Sequence, residues 1–147
     1  MNLWEGALLI FVALYSIFCF SLGFRNTYIK KNPFGLTPLF NPLGAFVWAD
    51  TIMFGIFFLL VSLVSLLFQD ILLFFLVYSV FWVIRSLGEQ IYWFLEQFTH
   101  THRNKPETLK GHRFFPGESI WIHYQIFWQC ISVISIISSV YFFTQVF

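Results

Sequence analysis

Apolar residues in this chain come in long unbroken runs rather than in alternation. Residues 56–68 read Ile-Phe-Phe-Leu-Leu-Val-Ser-Leu-Val-Ser-Leu-Leu-Phe. That is neither the two-residue period of a half-buried strand nor the alternating segments of a transmembrane barrel. Four such runs cover about residues 3–24, 46–68, 71–88 and 119–140. Each is close to the roughly 20 apolar residues that cross a hydrocarbon core of about 30 Å. The pattern predicts an all-α membrane protein, a bundle of four transmembrane helices forming a single integral membrane domain over residues 1–147. The first run has neither a preceding cation nor a small-residue cleavage site, so it is expected to persist as a helix rather than act as a signal peptide. Residues 91–98 keep a helical pattern past Gly88. Helix three should therefore extend two to three turns beyond the interface.

The cations orient the bundle. Of the eight Lys and Arg, all but Arg85 lie in two connections: Arg25, Lys30 and Lys31 in residues 25–45, and Arg103, Lys105, Lys110 and Arg113 in residues 99–118. Cytoplasmic loops collect such charges, so both basic connections are expected in the cytoplasm and both termini outside. The second connection is only Gln69-Asp70, which makes helices two and three an antiparallel hairpin. The first connection carries two turn-forming tetrapeptides, Asn32-Pro-Phe-Gly35 and Asn41-Pro-Leu-Gly44, and no charge from Asn32 to Trp48. It should lie in the interface as a lid, or re-enter the membrane if protein buries its backbone.

Composition narrows the function classes. The chain is 59% hydrophobic and 10% charged, against about 25% charged in a typical soluble domain. A net charge of +1 excludes bulk nucleic-acid binding. Cys19 and Cys130 fall at depths differing by roughly 9 Å, too far apart for a disulfide. Without a C-x-x-C pair, thiol-redox chemistry of that kind is excluded. There is no phosphate-cradling Gly-rich loop, no G-x-S-x-G elbow and no dinucleotide fingerprint. No cofactor is implied, and no catalytic residue is assigned.

Small and polar residues mark the helix faces that meet in lipid. Helix one offers Ser16, Cys19 and Gly23; helix two offers Thr51, Gly55, Ser62, Ser65 and Gln69. In helix three, Tyr78, Arg85, Glu89, Tyr92 and Glu96 share a face. Helix four carries Glu118, Trp121, Gln125, Trp128, Ser132, Ser135 and Ser139, with Gln129 beside them.

Ionisable groups within spans are costly and mark either function or structure. Asp50, Arg85, Glu89, His123 and Gln125 are expected in one polar layer near the cytoplasmic end. A clamp in which Arg85 pairs with Glu89 or Asp50 gives the same pattern without any activity. The seam of Gln129, Ser132, Ser135 and Ser139 suits either close packing or a polar path. Glu96, His100 and His102 are weak metal candidates, since no H-x-x-x-H or E-x-x-H spacing accompanies them; no metal is assigned. Arg103, Lys105, Lys110 and Arg113 are placed to contact anionic headgroups.

These features fit a non-enzymatic multi-pass protein of a plasma membrane (the inner one in bacteria) or an organelle membrane. Its partners would be the bilayer and either copies of itself or a larger membrane complex, in transport or assembly. The alternative is a membrane enzyme acting on a lipid or isoprenoid-type substrate at the cytoplasmic face, with Glu89, Glu96 and His123 as its acid–base or metal groups and the basic third connection holding a phosphate.

Sidedness is testable directly. A thiol introduced as Lys110→Cys should react with membrane-impermeant maleimide only from the cytoplasmic side, and Gln69→Cys only from outside; labelling of position 110 from outside would reverse the assignment.

Overall fold

The computed structural model of the chain describes residues 1–99 and 102–147. Among them are four helices long and apolar enough to cross a membrane and no strand, only an isolated bridge between Leu36 and Val47. In chain order these are α1 (Leu3–Phe24), continued by a π-helical turn (Arg25–Ile29), then a 3-10 helix (Pro38–Leu43), α2 (Trp48–Leu67), α3 (Ile71–Phe98), a short 3-10 turn (Pro106–Thr108) and α4 (Ser119–Val146). They fall into two units, Met1–Val77 and Tyr78–Gln145.

Element boundaries differ from the apolar runs for local reasons. α2 begins two residues late because Val47 is extended (φ −129°, ψ 162°) and bridged to Leu36. α3 passes through Gly88 unbroken and reaches 28 residues, about 42 Å at 1.5 Å per residue. α4 continues past residue 140 to Val146, since residues 141–146 hold neither Gly nor Pro.

The first unit rests on a seam between α1 and α2. Asn2 and Glu5 form a reciprocal capping box at the start of α1. Its buried residues, Leu9, Ala13, Ser16, Cys19 and Gly23, recur every three or four positions, as do Thr51, Gly55, Phe58, Ser62 and Ser65 on α2. Most are small, which lets two backbones approach closely where hydrophobic driving force is lacking. A Cβ on Gly55 would lie 2.9 Å from both Phe20 N and Ser16 O, and one on Gly23 would lie 1.9 Å from Thr51 Oγ1. The Cys19 thiol donates to the Thr51 carbonyl at 3.6 Å. Both cysteines are free, Cys19 buried and Cys130 exposed.

The first connection folds back onto α1. Phe40 is fully buried, with its ring 5.6 Å from Tyr15, 5.9 Å from Phe18 and 6.3 Å from Trp48. Tyr15 donates its hydroxyl hydrogen to the Leu39 carbonyl.

At the far end of α2 the chain reverses through a Schellman motif. Asp70 N–H donates to Ser65 O at 3.0 Å and Gln69 N–H to Leu66 O at 3.2 Å, with Gln69 left-handed at φ 52°. Asp70 then caps α3, its Oδ1 accepting from Leu72 N–H at 2.8 Å. Two residues thus terminate one helix and start the next.

Two glycines should respond oppositely to an added methyl. At Gly55 the obstructing atoms are backbone, so Gly55→Ala should cost about 1–3 kcal/mol. Gly88 has nothing within 4 Å of its missing Cβ, and Gly88→Ala should stabilise by about 0.5–1 kcal/mol through reduced backbone entropy. Thermal unfolding in detergent, followed by tryptophan fluorescence, reads both; equal shifts would refute the close approach of α1 and α2.

Candidate functional site

In the second unit, polar side chains meet between α3 and α4. Along α3, Ser79, Ser86 and Trp93 are buried at seven-residue intervals, the period of a face held against one neighbouring helix. Ser86 Oγ lies 2.6 Å from Ser132 Oγ of α4. The Gln90 amide donates to Ser132 Oγ at 2.5 Å and to the Trp128 carbonyl at 3.3 Å. Trp82 stacks on Trp128 with centroids 6.4 Å apart, and Trp93 packs on Tyr124 at 4.5 Å. Further along, Gln97 donates to Gln125 Oε1 at 2.7 Å. The seam is a ladder of aromatic pairs alternating with hydrogen-bonded hydroxyls and amides.

Beyond it, a clasp fixes the third connection. Glu96, only 4% exposed, accepts from Asn104 N–H at 2.7 Å through Oε1. The Asn104 side-chain amide donates to the Tyr92 hydroxyl, and the Asn104 main-chain carbonyl accepts from Trp121 Nε1–H at 3.0 Å. His102 stacks on Trp121 with centroids 4.4 Å apart, and its Nδ1 is 3.0 Å from the Glu96 main-chain oxygen. One asparagine therefore joins α3, the loop and α4. The Tyr124 hydroxyl adds a bond to Lys110 O at 3.2 Å.

Within the second unit, the residues expected in one polar layer are spread along α3 and α4. Arg85 and Glu89 pair at 3.1 Å along α3, with side chains 20% and 16% exposed. Gln125 sits with Gln97, two turns beyond Glu89. His123 is exposed, stacked on Phe115 at 3.5 Å with Nδ1 2.7 Å from Ser119 O. His123 and Gln125 lie away from the Arg85–Glu89 pair, because the antiparallel register sets Gln90 beside Ser132, and Gln125 and His123 are roughly 10–14 Å further along α4. Asp50, in the first unit, accepts from Phe46 N–H at 3.2 Å at the start of α2. An open depression of about 270 Å³ is lined by Lys110, Phe115, Ile120, His123, Tyr124 and Phe127, without either glutamate.

The helix-four seam divides. Ser132 and Ser135 are buried, Ser139 is half-buried and bonded to Ser135 O at 2.8 Å, and Gln129 is exposed. Among the described residues no three His, Cys, Asp or Glu side chains gather as a metal site. Glu96 and His102 meet through a backbone carbonyl, and His100 lies outside the described residues. Arg103, Lys105, Lys110 and Arg113 are all exposed.

Sequence reasoning missed Ser86, Gln90, Gln97 and Asn104. The spacing singles out the Tyr78, Arg85, Glu89 row of α3, while Ser86, Gln90, Trp93 and Gln97, one residue further on, are the side chains seen to meet α4. The seven-residue recurrence of Ser79, Ser86 and Trp93 was the available signal. Comparison with protein-family models, curated proteins and solved structures returns no match.

The amide rung predicts a sharp contrast. Gln125→Leu removes one of the two acceptors of the half-buried Gln97 amide, leaving its bond to the Trp93 carbonyl at 3.0 Å, and should cost about 0.5–1.5 kcal/mol, the net worth of one hydrogen bond. Gln97→Leu made together with it should cost less than the sum of the two single changes. Gln129→Leu, at an exposed position, should be neutral; equal destabilisation by Gln125→Leu and Gln129→Leu would dissolve the rung.

Proposed function

We propose that this chain is a non-catalytic building block of a membrane assembly, a subunit of a complex or a homo-oligomer. It would sit with both termini outside and both basic connections in the cytoplasm, in a plasma (or bacterial inner) membrane or an organelle membrane. The observation that carries this reading is where the polar groups are spent. Glu89 holds Arg85 at 3.1 Å, Glu96 closes on Asn104 at 2.7 Å, and Gln97 bonds Gln125 at 2.7 Å. The first pair is spent within α3 and the other two fasten α3 to the loop and to α4; a lined transport path leaves hydrogen-bonding capacity open to its cargo. Between transport and assembly, the pairing therefore favours assembly.

The wide lateral surface supports the same reading. α4 exposes Ile126, Val133, Ile137 and Val140, and α1 exposes Phe11, Leu14 and Phe18. The enzyme alternative draws on His123 and Lys110, which share one depression. It would also require Glu89 and Glu96 to face that same space, and both are committed to partners elsewhere.

Association is the property to measure. Crosslinking in native membranes, followed by native mass spectrometry in mild detergent, should give a multiple of the 17.5 kDa chain or the chain with a defined partner. A monomer in both measurements would overturn the proposal.

A further inference from the structure

We propose that residues 33–47 form a re-entrant hairpin whose tip enters the hydrocarbon of the leaflet at the Ile29 end of α1, with lipid acyl chains as its occupant. The placement is independent of which side of the membrane that leaflet faces, and of whether the chain assembles with others.

Depth is the first argument. The Leu39 carbonyl accepts from Tyr15, and the Phe40 ring packs at 5.6 and 5.9 Å from Tyr15 and Phe18. Those α1 residues precede Ile29 by fourteen and eleven positions, or roughly 17–21 Å along the helix axis. With a core of about 30 Å, a segment seated there does not float in water.

The outward face is the second. Phe34 is 82% exposed, Leu36 78% and Leu39 60%, with Pro42 also exposed. Asn41 is the single polar side chain exposed on this stretch, which holds no charge between Lys31 and Asp50. In water such a surface is penalised; among acyl chains it is at home. Arg25, Lys30 and Lys31, just before it, are placed to meet headgroups.

The third argument is that the backbone can tolerate the depth. Hydrocarbon admits irregular backbone only where its polar groups find partners. Thr37 N–H donates to Phe46 O at 3.0 Å and Thr37 Oγ1 to Ala45 O at 2.9 Å. Within the turn, Phe40 N–H donates to Thr37 O at 3.0 Å, Gly44 N–H to Asn41 O at 2.8 Å, and Ala45 N–H to Phe40 O at 3.3 Å. Trp48 N–H closes the mouth on Gly35 O at 3.1 Å, and Ala49 N–H on Pro33 O at 2.9 Å. Pro33, Pro38 and Pro42 have no N–H to satisfy. Gly44 takes the left-handed turn at φ 69°.

Fluorescence depth measurement tests this. Leu39→Cys, in a Cys130→Ser background with buried Cys19 retained, is labelled with an environment-sensitive nitrobenzoxadiazole and reconstituted in phosphatidylcholine vesicles. Leu36→Cys serves equally should the first variant fold poorly. Met53→Cys, on the exposed face of α2, is the acyl reference, and Glu107→Cys the aqueous one. The hairpin site should be quenched by acyl-brominated phosphatidylcholine as strongly as position 53, and by iodide several-fold less than position 107. Quenching by iodide at the level of position 107 would overturn the proposal in favour of a water-exposed loop. Protection from both quenchers would overturn it in favour of a protein cover.

Discussion

A polar group in hydrocarbon has no water to fall back on, so whatever bonds it will keep must come from the chain itself. Much of this structure follows from that requirement. Long helices satisfy their own backbones, and the difficult places are the helix ends, the turns and the polar side chains that remain. The α2–α3 turn answers with a Schellman motif followed at once by an Asp70 cap. The first connection answers by folding into a self-bonded hairpin, and the third by gathering Glu96, Asn104, Tyr92 and Trp121 into a clasp. In each case the local sequence supplies the partner: an aspartate at the cap, a threonine across the hairpin, an asparagine within the loop.

The two units reach close helix packing by different means. Between α1 and α2 contact is steric, with glycine, alanine and serine admitting one backbone to another. Ser16 and Ser65 are buried there with no hydrogen-bond partner for their hydroxyls among the described residues, so they act as small residues rather than as donors. Between α3 and α4 contact is chemical, carried by stacked indoles and by serine and glutamine rungs. Interhelical bonds of this kind average only about 0.6 kcal/mol each. Their value lies in fixing register, because a hydroxyl or amide displaced by one turn would face acyl chains without a partner.

Features written in local composition were legible from the residues alone. The four spans, the two-residue turn and the small-residue stripe on α2 depend on apolar runs and three- or four-residue spacing, and these the sequence displays openly. The residues of α3 that meet α4 were harder, because Arg85 and Glu89 drew attention to their own row. Charged residues can pair along their own helix, as Arg85 and Glu89 do, so their row does not by itself tell which side chains meet α4. The neighbouring row of Ser86, Gln90 and Gln97 is quieter in chemistry yet makes the contacts with α4. Counting residues from the ends of the apolar runs puts His123 and Gln125 level with Arg85, but α3 and α4 both continue past those runs, to 28 residues each. The Asn104 clasp depends on how a long irregular loop returns to α3, which no periodicity encodes.

The two-residue link between α2 and α3 also constrains where α3 can start. Ser65, Leu66, Gln69 and Asp70 satisfy one another's backbone groups within the turn. With no slack between Phe68 and Ile71, α3 has to begin at the level where α2 ends, whatever the order in which the two are made.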